Sequence, residues 1–228
     1  MGVILTPPEE KLLLACTLFS GMKEEPLGQS LHLLQAERAE ARRGDILIRL
    51  GDTMRRFGLV LSGHIEVFTE DFNGRHMIMA SVSRGGLFGE ALAFLTAKEV
   101  PLYIRATEPS QILWMNPEAL PTDETPLGRE LTHRYTVLLC EKLLSMNDRV
   151  QVLSKYSIRD KLMTYLSQCA HKSGGDSFTL PFGREALADY LGVNRSALCR
   201  EISAMAADGL IEVQGRKITV IHGEEEIP

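Results

Sequence analysis

The sequence predicts an α+β chain: a β-rich N-terminal half, a single long helix, and a small helical C-terminal domain closed by a hairpin. Three observations predict it. Between residues 43 and 115, short runs rich in Ile, Leu, Val and Phe alternate with glycine-bearing turns, the texture of antiparallel strands. Over residues 127–153, apolar side chains recur at steps of three or four, the period of a helix. Residues 184–207 then carry two further helical periods, separated at Gly192.

Composition sets the outer bounds. The chain has 228 residues, 44% of them hydrophobic, which is enough for one large core or two ordinary ones. Its net charge of −5 is unevenly spread: residues 154–222 hold 9 Lys/Arg against 7 Asp/Glu, whereas residues 1–153 hold 16 against 20. A weak basic bias therefore sits in the C-terminal domain, ahead of an acidic tail at 223–228. Cys16, Cys140, Cys169 and Cys199 are scattered, with no CxxC pair, which argues against a zinc or cluster site of the usual spacing. No basic segment followed by an apolar stretch opens the chain, and no run of 18 apolar residues occurs, so a cytoplasmic protein with reduced thiols is expected. Paired carboxylates, triads and phosphate loops are missing in any supporting context, and Gly85-Gly86 before a turn is not a nucleotide loop. An enzyme is not expected.

In chain order, helices are expected at 8–14 and 26–36. Turns follow at Gly44-Asp45, Gly51-Asp52, Gly63, Asn73-Gly74 and Gly85-Gly86. Asn73-Gly74 is the strongest hairpin signal, because both residues tolerate positive φ; it lies between the runs 65–68 and 76–80. Strands so closely spaced give an antiparallel barrel, roll or sandwich, not βαβ units. In the long helix, Tyr135, Leu139, Leu143, Met146, Val150 and Leu153 form a narrow seam, suited either to a second copy of the helix or to packing on its own domain. A break near 155–157 precedes a helix at 158–171, a loop at 173–176 and a strand at 178–180. The expected domains are 1–126 (sensor), 127–156 (dimerisation helix and hinge) and 157–222 (C-terminal domain).

Residues 184–207 read REALADYLGVNRSALCREISAMAA. Leu187, Ala188 and Leu191 form the apolar side of a first helix, Gly192 permits a left-handed turn, and Val193 plugs the corner. Asn194 is a good N-cap for the next helix, whose Leu198, Ile202 and Met205 face inward. This is the helix-turn-helix pattern, although an αα-corner without a DNA role shares parts of it. The outward face carries Arg195, Ser196, Cys199 and Arg200. Two arginines on one face suit the major groove, where guanidinium donates twice to guanine. Gly209 ends the helix, and a hairpin with Arg216 and Lys217 at its tip reads as a wing touching phosphate.

These motifs together resemble the superfamily of the cyclic-AMP receptor protein and the fumarate-nitrate regulator (Crp/Fnr). The N-terminal half is similar to a cyclic-nucleotide-binding β-roll at Gly44-Asp45-Ile46, Gly51-Asp52, LSGHIEVF around Gly63, and LFGEALAFL around Gly89-Glu90. SIRDKLMTYL and the helix-turn-helix resemble the family's winged DNA-binding domain. The resemblance implies a homodimeric transcription factor that binds double-stranded DNA at an inverted repeat. It implies a small effector in the β-roll, and it admits RNA polymerase as a further partner. The alternative class is a ligand-binding regulatory subunit with no DNA role.

The implied effector pocket comprises Gly89, Glu90, Val100, Pro101 and, on the long helix, Met146 and Asn147. Relatives that bind cyclic nucleotides hold the phosphate with an Arg-Ser pair, and here those positions are Val100 and Pro101. Valine cannot neutralise a phosphate and proline lacks the backbone N–H, so an unpaired phosphodiester there would cost several kcal/mol, roughly. Cyclic AMP is not the expected effector. Glu90 then either caps local backbone N–H groups or meets another polar ligand. The fumarate-nitrate regulator's N-terminal cysteine cluster is absent, since Cys16 stands alone. Haem remains an alternative cofactor through His64 or His76, though a strand histidine is more often hydrogen-bonded. Oxidation of Cys199 on the reading face is a further alternative.

Overall fold

A computed structural model describes residues 3–70 and 76–221, without the side chain of His76. The chain divides into two compact units, residues 1–140 and 141–228. The Asn73-Gly74 turn and the acidic tail lie outside the described residues.

The first unit opens with helices α1 (Pro7–Leu14) and α2 (Glu24–Leu33). Eight strands follow: β1 (Glu37–Ala41), β2 (Ile46–Ile48), β3 (Phe57–Ser62), β4 (His64–Glu70), β5 (His76–Ser83), β6 (Leu87–Phe88), β7 (Tyr103–Ala106) and β8 (Ser110–Met115). A one-turn helix, α3 (Glu90–Phe94), lies between β6 and β7, and the long α4 (Pro126–Leu153) ends the series. The strands form two antiparallel sheets in the orders β1-β8-β3-β6 and β2-β7-β4-β5. Chain neighbours β3 and β4 thus fall in different sheets, as do β7 and β8, which makes the unit a roll. The expected hairpin partners pair as β4 and β5, with Ile65 opposite Val82.

Strand β3 shows why two cores form. Its run Phe57-Gly58-Leu59-Val60-Leu61 is buried throughout, because alternate residues face opposite sides and both sides are covered. Phe57, Leu59 and Leu61 join Leu113 and Met115 of β8 against α1, α2 and Leu131, Tyr135 and Leu138 of α4. Val60 points the other way, into a core with Ile65, Val67, Phe88, Ile104 and Ile112 contributed by both sheets. Gly58 makes room there: a Cβ would lie 2.1 Å from the Phe88 ring. Two turns of one design join β1 to β2 and β2 to β3. Asp45 and Asp52 accept the backbone N–H of Arg42 and Arg49 at 2.7 and 2.8 Å, around Gly44 and Gly51 at positive φ.

The second unit holds α5 (Ile158–Ser173), β9 (Ser177–Thr179), α6 (Arg184–Leu191), α7 (Arg195–Ala207), β10 (Ile211–Gln214) and β11 (Lys217–Val220), with sheet order β10-β11-β9. Its core joins Val152 of α4 to Leu162 and Leu166 of α5, Leu187 and Leu191 of α6, and Leu198, Ile202 and Met205 of α7. Ser157 caps α5 by accepting from the Asp160 N–H at 3.0 Å. Among the described residues, no helix is long and apolar enough to cross a membrane, and no group of three His, Cys, Asp or Glu side chains is placed to hold a metal.

Candidate functional site

The C-terminal unit builds its outward face from local signals. Gly192 closes α6 at φ +63°, and the Val193 N–H returns to the Ala188 carbonyl at 3.0 Å. Asn194 accepts from the N–H groups of Ser196 and Ala197 at 2.8 and 3.4 Å, which fixes where α7 begins. Leu198, Ile202 and Met205 are buried, so the register of the helix is set, and Arg195, Ser196 and Arg200 stand exposed on its other side. Cys199 is half-buried beside them. Two further contacts hold these helices. Arg159, near the start of α5, donates to Glu201 at 2.6 Å and pairs with Asp208 at 2.8 Å, which raises its pKa; Lys161 donates to the Leu191 carbonyl at the end of α6 at 3.2 Å. Sequence reasoning missed both, since their partners lie thirty to fifty residues away.

Arg216 is exposed at the β10–β11 turn, but its guanidinium donates to the Leu180 carbonyl at 2.6 and 3.1 Å and to the Pro181 carbonyl at 2.9 Å. It ties the hairpin tip to the loop before α6 and keeps its charge there beside the exposed Lys217. Arg184, at the first position of α6, also reaches the tip through the Gly215 carbonyl at 3.3 Å.

In the first unit, Gly89 opens α3 at φ +77° and Glu90 follows it, almost wholly buried. A Cβ on Gly89 would lie 2.0 Å from Met54 Cε, so only glycine allows Met54 to pack there. Val100 is buried in the same core as Met54 and Phe88, and its N–H donates to the Asp52 carbonyl at 2.9 Å. Pro101 faces outward. Gly89 and Glu90 thus belong to the β6–α3 turn and Val100 to the core beside it, and neither Val100 nor Pro101 carries a donor side chain. Met146 and Asn147 are exposed near the end of α4, in the second unit.

The seam on α4 needs one correction. Tyr135 is fully buried in the first unit: its hydroxyl donates to the Glu90 carbonyl at 3.0 Å, and its ring lies between Phe57 and Phe94, with centroids 5.3 and 5.2 Å away. Burial pushes its phenol pKa up, with the nearby Glu90 adding to the shift. It cannot face a second copy. Leu139 packs partly against the same core. Leu143, Met146, Val150 and Leu153 stand exposed at 67, 65, 62 and 41%, joined by Leu144, which the seam omitted. Of the two histidines, His64 has both ring nitrogens engaged, with Ser81 Oγ at 2.6 Å and Ser83 Oγ at 3.2 Å, and the side chain of His76 lies outside the described residues.

Comparison with known proteins follows the same division. Residues 38–121 match the model of a cyclic nucleotide-binding domain, and residues 160–225 match that of a Crp-like helix-turn-helix domain. The chain is 24% identical over 209 residues to the regulatory protein HlyX of Actinobacillus pleuropneumoniae, covering 90% of this chain and 85% of that one. Its fold is similar to that of the catabolite activator protein of Thermus thermophilus, with a TM-score of 0.51 at 23% identity over 90% of this chain and 93% of that one. It is also similar to the c-di-GMP-responsive regulator CLP of Xanthomonas campestris, with a TM-score of 0.55 at 17% identity over 88% of this chain and all of the other.

Proposed function

The chain belongs to the Crp/Fnr superfamily of transcriptional regulators, and from that premise we propose that it acts in the cytoplasm as a homodimer on an inverted-repeat operator, controlled by a small effector that is not a cyclic nucleotide. The observation that carries the DNA reading is the exposed face of α7: Arg195, Ser196 and Arg200 are held in one register by the Asn194 cap and the buried Leu198, Ile202 and Met205. A two-fold dimer would set two such helices about 34 Å apart, into successive major grooves. Arg200, in the second turn, is the guanine reader, and Ser196, short and able both to donate and to accept, relaxes the choice at the neighbouring base pair. The Crp-like helix-turn-helix sets aside a regulatory subunit without a DNA role. Selection of binding sites from random DNA tests this reading. The wild type is expected to enrich an inverted repeat, and Arg200→Ala to lose about 1–3 kcal/mol per half-site and flatten one G·C preference. An unchanged motif with Arg200→Ala would remove α7 from the role of reader.

The exclusion of cyclic nucleotides rests on Val100 and Pro101, which supply no charge to a phosphate in a core that Met54 and Phe88 already share. Calorimetric titration with cyclic AMP and cyclic GMP is expected to show no micromolar binding.

A further inference from the structure

Apolar packing alone does not aim the outward face of α7. The buried side chains of this helix are Leu198, Ile202 and Met205, and around the last two stand Ser203, Ala204, Ala206 and Ala207. Hydrophobic contact has no direction, small residues leave a smooth surface, and a methionine adapts to the gap it is given. Such packing resists separation more than it resists sliding or turning. Base readout tolerates neither movement, because a guanidinium meets the edge of a guanine in one geometry.

Directional contacts come instead from α5. Arg159, in its first turn, lays one guanidinium across two carboxylates of α7: Nε donates to Glu201 at 2.6 Å, and an Nη nitrogen meets Asp208 at 2.8 Å. Those carboxylates stand seven residues apart, close to two turns and about 10 Å along the axis. A planar group bound at both points limits how far α7 slides and which way it turns. The pairing also settles an electrostatic conflict. Asp208 is the C-cap of α7, at the negative end of the helix dipole, and the last turn has no basic residue of its own. Arg159 supplies that charge from a neighbouring element. Arg195 and Arg200, by contrast, have no ion pair among the described residues.

We propose that Arg159 is a positioning residue for DNA reading: it sets the rotation and axial place of α7, and with them the aim of Arg195 and Arg200, without itself touching DNA. This rests on the reading of α7 as the recognition helix. Phosphate contacts need charge nearby and tolerate small displacements, whereas base contacts need a fixed pose. Loss of the bridge therefore lowers affinity for the operator and spares affinity for unrelated DNA.

The experiment measures binding of the full-length protein to the site that the wild type enriches from random DNA, and to a scrambled duplex of equal length, at two salt concentrations. Arg159→Lys keeps the charge but replaces the fork with a single nitrogen. It is expected to lower the operator-to-scrambled affinity ratio about tenfold, with the scrambled affinity and the salt slope unchanged. Glu201→Ala combined with Asp208→Ala cuts the same bridge from the other side. It should lower the ratio as far, even though the added positive charge tightens the scrambled duplex. A loss of folded protein weakens both DNAs in proportion, so the ratio separates positioning from stability. An unchanged ratio in either variant would overturn the proposal. Tightening of both duplexes in equal proportion by the double variant would do so too, making Arg159 a phosphate ligand that its carboxylates restrain. A wild type with no preferred site would remove the DNA reading itself, and this role with it.

Discussion

Glu9 and Arg38 show how much one partly buried pair can hold when its geometry is bidentate. Arg38 donates to both carboxylate oxygens of Glu9 at 2.6 and 2.9 Å, and the Thr6 N–H and hydroxyl donate to one of them at 2.7 and 2.8 Å. The Arg38 hydrogen bonds are the largest cause that takes the Glu9 carboxyl below the ordinary carboxylate range, to about 2. A depressed folded pKa means the contribution is present above the unfolded carboxylate value and is lost as pH falls towards 2. Urea unfolding of Glu9→Gln is expected to show a deficit of about 2 kcal/mol at neutral pH that narrows below the unfolded carboxylate value and closes only as pH approaches about 2. Arg216 gives a second test at this scale. Arg216→Ala should lower stability by about 1–2 kcal/mol with its bonds to Leu180 and Pro181 and, because carbonyls leave its charge in place, reduce the slope of log affinity against log salt by about one. Lys217→Ala should reduce the slope by about one as well, without that loss of stability. The sequence placed Arg216 at the wing tip, but not the direction of its side chain. That direction is set by carbonyls some 35 positions earlier in the chain, and no local pattern encodes it.

At the scale of elements, α4 carries two demands on one helix. Leu131, Tyr135 and Leu138 serve the first unit's core, Val152 serves the second's, and Leu143, Met146, Val150 and Leu153 are left for another partner. The steps among the exposed residues are three, four and three; one heptad before Leu143 they reach Thr136, which is exposed, and not Tyr135. Helical spacing permits either step, so apolarity alone drew Tyr135 into the seam, and only its packing against Phe57 and Phe94 separates the two roles. Sedimentation should therefore distinguish two variants. Leu143→Asp is expected to dissociate the dimer, at a cost of several kcal/mol, roughly. Tyr135→Phe should stay dimeric and lose about 1 kcal/mol of stability with its bond to Glu90. The caps were plainer in the sequence. Gly192 and Asn194 sit where their chemistry demands, because a cap is a contact over two or three residues.

For the whole molecule, the winged C-terminal unit was legible nearly residue by residue, since most of its signals are local: a helical period, a left-handed glycine, an N-cap, a hairpin tip. The N-terminal unit showed its strands and turns but not their order. β1 pairs with β8, and neighbours in the chain fall in different sheets, so the partners of each strand are distant and leave no periodic trace. That Val100 and Pro101 bring no charge to a phosphate, by contrast, could be read directly from their chemical type. The exposed strip on α4 has a consequence for dosage. A regulator that reads DNA only as a pair is made from two copies, so when most copies are single, halving the cell's supply cuts the active form about fourfold. Target genes would then respond to the abundance of this protein more steeply than in proportion, even with the effector held constant. The width of that strip, four side chains from Leu143 to Leu153, sets the concentration at which the steep regime begins.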